Sequence, residues 1–288
     1  MANPTLGSNV TRAIAQNSQY IQEKWTRDIQ QPFDKVLQAA KLVQDRSGLV
    51  ADGGDTINVP FAAGVNARSK AASTAITYDS PEGAPVTIAI DKHYYVGVLI
   101  EDIAKIQSNY DLKAAFQQRM AEALARQLDT DLMSLYASAG TTVSGGAAID
   151  DADVLSVLSA FDSSNTPASQ RRGIIGHNTK TDLLGVNKYT TYDQTGKTGE
   201  AVNGATDWNG RIYGIDFYHS GNVQANGGNG HNLFFHKSAI TLAQQLKPKF
   251  EMEYSVDFLG TKTVLHTIYG LGVERPGALI DLTRTTAA

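Results

Sequence analysis

Between residues 108 and 138, Leu112, Phe116, Met120, Leu124, Leu128, Leu132 and Leu135 recur at steps of four and then three. Side chains at those steps share one stripe of an α-helix, so this stretch predicts a long amphipathic helix. Ser108 with Asp111 three residues later gives a capping-box pattern at its start, and Gly140 marks its end. About 30 residues at about 1.5 Å each make a rod of roughly 45 Å, long enough to be the backbone of the molecule.

Upstream of the rod, Thr56 to Phe61 alternates Ile57, Val59 and Phe61 on one face, and Pro60 argues for an edge position because it cannot donate to a ladder. Tyr94, Val96, Val98 and Ile100 alternate in a second run, and the intervening AAGVNARSKAASTAITYDSPEGAP is small and polar. The two runs predict a long hairpin that projects from the body and needs a partner surface to lie on. Residues 11–46 read as an arm too thin to make a core, with Pro32 opening a short helix that carries Phe33, Val36, Leu37, Ala40 and Val43.

Downstream, 141–243 reads as an inserted α+β domain with loops. Asp150 and Asp153 open a helix through Phe161, Arg172 to Ile175 is a short strand, and Asn178 to Leu184 is a second capped helix. A Gly- and Thr-rich loop covers 189–210, RIYGIDFYHS is a strand, and GNVQANGGNGHN is a polar loop. After it Phe250, Met252, Tyr254, Val256 and Phe258 alternate with mostly polar residues, predicting a strand with one buried face. Strands at Thr263 to Tyr269 and Ala278 to Leu282 follow.

No catalytic, cofactor-binding or metal-ligating constellation emerges. TYDQTGKTGE ends like a P-loop at Gly196, Lys197 and Thr198, but position 191 is Thr where the loop needs Gly, and no helix-forming sequence follows. Gly270-Leu271-Gly272 starts like a dinucleotide fingerprint, but position 275 is Arg and Pro276 blocks a helix, so a bend between strands is expected. His93, His177, His219, His231, His236 and His266 include no metal-binding spacing on a helix. Asp129 and Asp131, two apart on a helix, face different ways, and Asp150, Asp151 and Asp153 suit a helix start.

Composition excludes further classes. Lys and Arg total 25 against 29 Asp and Glu, a net charge of -4 without a like-charge block, so contact with nucleic acid is expected to be nonspecific. The lack of cysteine removes disulfides, thiol nucleophiles and Cys-based metal sites. No apolar run reaches the roughly 18 residues of a membrane span, and MANPTLGSNV lacks signal-peptide features, so an intracellular chain is expected.

The order of these pieces resembles the major capsid proteins of tailed bacteriophages, whose α+β architecture is the HK97-like fold. TINVP at 56–60, IDKHYYVGVLIED at 90–102, LARQLDTDLM at 124–133, RRGIIGHN at 171–178, GRIYGIDFYHSGNV at 210–223 and the long run 236–282 carry the likeness. The resemblance implies an N-terminal arm (1–48), an extended loop and the start of the peripheral domain (49–101), and the spine helix (102–140). It further implies an axial domain (141–243) and peripheral strands (244–288). It also implies self-assembly as hexamers and pentamers into an icosahedral shell around double-stranded DNA, with no enzymatic activity, membrane or cofactor. Partners would be a portal, a decoration or cement protein where one is used, and a separate scaffolding protein, since the arm begins at Met1. Production in the bacterial host cytoplasm and residence in the virion follow. Lys70 lies in the region where one member of this fold family crosslinks, but no partner Asn or activating Glu is identifiable. The alternatives are an encapsulin-type shell enclosing a protein cargo and a nucleotide-binding enzyme using the 196–198 loop.

Overall fold

The computed structural model describes residues 39–51, 53–61, 64–78, 83–102, 112–190 and 210–285. The helix start at Pro32, the Ser108–Asp111 cap and the 196–198 loop lie outside them. In chain order the first elements are helix α1 (Ala39–Leu42), then strands β1 (Gln44–Asp45), β2 (Thr56–Val59), β3 (Val86–Ala89) and β4 (Lys92–Glu101). The long helix follows as α2 (Leu112–Met133), tightening into a 3-10 turn at Ser134–Ser138. Its 22 residues make a rod of about 33 Å. The apolar stripe does what its spacing predicts. Met120 and Leu124 pack with Leu265, Tyr94, Val96, Val98 and Phe250, while Leu132 sits in the largest core cluster with Leu128 and Leu135 against it. Phe116, at the far end, stays exposed.

The sheet under this helix runs β1-β11-β12-β4, where β11 is Ile240–Ser255 and β12 is Gly260–Val273. β4 pairs with β12 along its whole length, from Lys92 opposite Tyr269 to Glu101 opposite Gly260. The hairpin expectation is thereby corrected. β2 pairs with β3, a strand absent from the sequence reading, in a two-stranded ribbon of its own. β4 is instead an edge of the four-stranded sheet.

The second sheet holds seven strands: β5 (Thr141–Ser144), β6 (Arg171–Ile175), β7 (Arg211–Ile212), β8 (Ile215–His219), β9 (Gln224–Asn226), β10 (Asn229–His236) and β13 (Leu279–Thr285). RIYGIDFYHS is two strands, because Tyr213 and Gly214 both adopt positive φ (50° and 81°) and turn the chain. The expected polar loop likewise folds as β9 turning at Gly227 and Gly228 into β10, whose Leu233, Phe234 and Phe235 are buried. Helix α3 (Asp151–Ser163) begins with the expected capping box between Asp150 and Asp153. Helix α4 (His177–Leu184) starts at Gly176 with no side-chain cap, so Asn178 is not the cap expected of it. Val154, Val157 and Phe161 of α3 and Leu183 of α4 cover Ile175, Phe217, Phe234, Ile280 and Leu282 of this sheet.

β13 pairs antiparallel with β10 and parallel with β5. The last strand therefore belongs with the strands of 141–243, whereas the sequence reading grouped it with 244–288. Asp129, inside α2, is buried and accepts the backbone N–H of Ala39 at 2.8 Å, docking α1 on the helix. Asp129→Ala is expected to cost about 2 kcal/mol in urea unfolding of the unassembled chain, because a buried donor loses its acceptor.

Candidate assembly surface

Glycine shapes the root of the β2–β3 ribbon. Gly270 and Gly272 are not in a bend, as expected from the sequence, but inside β12, opposite Ala243 and Thr241. Two residues apart on one strand, they open the same face. A Cβ on Gly270 would lie 2.3 Å from the Ala89 carbonyl oxygen, and one on Gly272 would lie 2.6 Å from Ile88. The missing side chains let β3 cross the sheet in direct contact, where Ile57 and Ile88 pack with Val50 and Ala243.

Beyond this root the chain extends without regular structure through residues 64–78. Val65, Ile76 and Tyr78 are exposed there, Tyr78 to 84%, as is Phe61 just after β2. Lys70 lines a 220 Å³ concavity of the same segment with Asn66 and Arg68.

A second apolar surface lies at the far end of the β11–β12 hairpin. The expectation that one face of Phe250 to Phe258 is buried is overturned: Met252 is 47% exposed, Tyr254 50%, Val256 74%, Phe258 53% and Leu259 64%. Leu259 holds a φ of 43°, an unfavourable geometry for a bulky side chain, and its carbonyl accepts the N–H of Asp102 at 3.0 Å. Tyr254 donates its hydroxyl to Asp102 at 2.9 Å, and the Lys262 ammonium sits 4.7 Å from the Phe258 ring centroid. The tip is thus locally fixed while its apolar groups face outward. Contiguous exposed apolar surface of this kind marks a contact site.

Polar groups that could have been chemical are structural. Asp131 accepts the Tyr269 hydroxyl at 2.9 Å and meets Lys92 at 3.2 Å, while Asp129 engages α1, so the two carboxylates serve different neighbours. Burial, reinforced by Asp131, pushes the Tyr269 phenol up. Glu274 receives Arg46 through two hydrogen bonds of 2.7 and 3.0 Å and also the Thr241 hydroxyl, fixing the chain after β1 to the sheet. Burial opposes its ionisation, but these donors hold its carboxyl below the usual range. His231 sits 2.7 Å from Asp281 under the stacked Tyr136 ring, and burial pushes the Asp281 carboxyl up. No nucleophile is hydrogen-bonded to that pair in the described residues. His93 contacts His266 across β4 and β12 at 3.2 Å. Among the described residues no group of three or more His, Cys, Asp or Glu could hold a metal ion, and no helix is long and apolar enough to cross a membrane.

Asp151, read from sequence as a helix-start charge, does more. Its carboxylate receives Lys188 at 2.8 Å, Tyr189 at 2.5 Å and Tyr213 at 2.7 Å, joining the chain on both sides of 191–209. Burial works against ionisation, but the three hydrogen bonds outweigh it and hold the carboxyl at about 2. A depressed folded-state pKa stabilises above the ordinary carboxylate range and loses that contribution as pH falls through the folded value. Between about pH 4 and pH 2 the wild-type melting temperature is therefore expected to fall further than that of Asp151→Asn, measured by fluorescence of the unassembled chain.

The described geometry is of contact surfaces, and comparison with known proteins agrees with it. The family model described as phage capsid protein matches residues 84–282. No curated protein sequence matches the chain significantly. A solved structure from Mycobacterium phage Che8 superposes with a TM-score of 0.79 at 22% identity, covering 91% of this chain and 97% of that one. The capsid of the cyanophage P-SCSP1u gives 0.76 at 19% identity, with 94% of each chain covered. The capsid of an empty GTA particle gives 0.70 at 14% identity, over 98% of this chain and all of the other. The HK97-like α+β fold is thus common to these structures and this chain.

Proposed function

This chain belongs to the phage capsid protein family, a structural protein of the tailed-phage shell, and from that premise we propose how it builds one. Copies associate as hexamers and pentamers that close into an icosahedral shell around double-stranded DNA, without catalysing a reaction. The observation that carries this reading is the pair of outward apolar surfaces, the extended segment with Val65, Ile76 and Tyr78 and the hairpin tip with Val256, Phe258 and Leu259. A single chain leaves both wet. Neighbours around a ring cover such surfaces, and obligate interfaces of that kind bury upward of about 2,000 Å².

In this arrangement the extended loop within 49–101 lies over an adjacent subunit, the spine helix and four-stranded sheet form the peripheral domain, and the seven-stranded sheet forms the axial domain. The loops of the axial domain meet their copies at the capsomer centre. The near-balanced charge supports close packing of many copies around nonspecifically contacted DNA. A portal, a separate scaffolding protein and, in some particles, a decoration protein complete the assembly, which is made in the bacterial host cytoplasm and ends in the virion.

Electron microscopy of the protein purified from cells tests this. Closed shells, with hexameric and pentameric capsomers in the reconstruction, are expected. Small shells loaded with a protein cargo would instead favour an encapsulin-type compartment, and monomers that bind ATP would sink both shell readings.

A further inference from the structure

The geometry points to a divalent transition-metal site on the outer face of the four-stranded sheet, with His93 and His266 as its two protein ligands. β4 and β12 pair antiparallel with Tyr95 opposite His266 and His93 opposite Ile268, so the two imidazoles are diagonal neighbours on the face away from α2. His93 Nε2 and His266 Nδ1 stand 3.2 Å apart. Two imidazole nitrogens bound in adjacent positions to one ion, each at about 2.0–2.1 Å, would stand about 2.9–3.4 Å apart. The observed span is already that of a chelating pair.

The pair opens into a concavity of about 830 Å³ whose lining includes Tyr95, Glu251, Glu253 and Lys262. Room therefore exists for the ion and the waters that fill its remaining positions. Without metal, one ring donates its N–H to the other. Binding requires that proton to move to the far nitrogen of the same ring, so that both facing nitrogens present lone pairs and each imidazole stays neutral. His93 is exposed and His266 is half-buried beside the open concavity, so water can carry that transfer.

The surroundings set the strength. Lys249 lies opposite His266 and pairs with Glu251 at 2.6 Å, and Lys262 is held over Phe258. Neither ammonium is released by binding, so two imidazoles and water do the work and the site is a modest one. Nitrogen ligands select Ni²⁺, Cu²⁺ or Zn²⁺ over Mg²⁺ and Ca²⁺. The chain contains no cysteine to compete. The ion would join the edge strand β4 to the middle of the sheet.

Equilibrium dialysis of the full chain against NiCl₂ at pH 7.5 tests the site. One Ni²⁺ per chain is expected, at least about tenfold weaker in His93→Ala and equally so in His266→Ala. With CuCl₂, the electron paramagnetic resonance spectrum should show two equatorial imidazole nitrogens. That spectrum is read on the unaltered chain and does not depend on how either variant folds. Absence of saturable binding up to about 1 mM Ni²⁺, both variants binding like the wild type, or a one-nitrogen copper spectrum would each overturn it.

Discussion

Gly270→Val yields a chain that misfolds or assembles aberrantly. The added Cβ alone meets the Ala89 carbonyl oxygen at 2.3 Å and the Ile90 Cα at 3.0 Å, and both neighbours are backbone that cannot rotate away. Either β3 lifts from the sheet or β12 shifts against β11 and β4. Lifting β3 uncovers Ile88, buried to 1% exposure, and breaks its packing with Ile57 and Ala243. Overpacking of this kind costs about 1–3 kcal/mol in a core that can adjust and more in one that cannot. Gly272→Val meets the Ile88 side chain instead, which can yield, so its effect is smaller. The comparison is made by soluble yield and by urea midpoints of whatever remains soluble. A soluble Gly270→Val that assembles normally would show that β3 does not need this close approach.

Val256→Asp combined with Phe258→Asp is expected to do the opposite: leave the subunit folded and stop the shell. Both side chains are mostly in water, so their loss changes the stability of the unassembled chain by about 0.5 kcal/mol or less. In an assembled particle the same positions would bury two carboxylates per copy, and the one at 256 lacks the ammonium that Lys262 offers at 258, at a cost of several kcal/mol. Size-exclusion chromatography and electron microscopy should show soluble subunits or capsomers without closed shells. Shells in normal yield would remove the hairpin tip from the contact surface.

The difference between those variants also explains which parts of the molecule could be read in advance. The stripe from Met120 to Leu132 was legible because a helix supplies its own hydrogen bonds and only its burying face has to be inferred. The alternation of Tyr94, Val96 and Val98 was legible because α2 covers that face within one chain. Val86–Ala89 was hidden because four residues among small and polar neighbours carry almost no periodic signal. Gly270 and Gly272 misled because glycine serves a bend and a close backbone approach equally well, and only the position of Ile88 and Ala89 distinguishes them. The outward tip is the most informative miss. Alternating apolar residues at 250–258 demand burial, but nothing in a sequence says whether the covering surface comes from the same chain. Asp151 was recognised as a helix-start charge, yet its grip on Tyr189 and Tyr213 joins residues 38 and 62 positions away.

The place of β13 carries a consequence for timing. Leu279–Thr285 lies between β5 and β10, two strands that are not neighbours of each other and that leave the ribosome well before it. Until those residues emerge, β5 has no sheet partner, and Ile280 and Leu282 are missing from the cluster that buries Phe161 and Phe234. Contacts spanning such separations form late and slowly. The second sheet thus depends on residues 279–285: a chain cut before them has no complete second sheet to offer a growing particle.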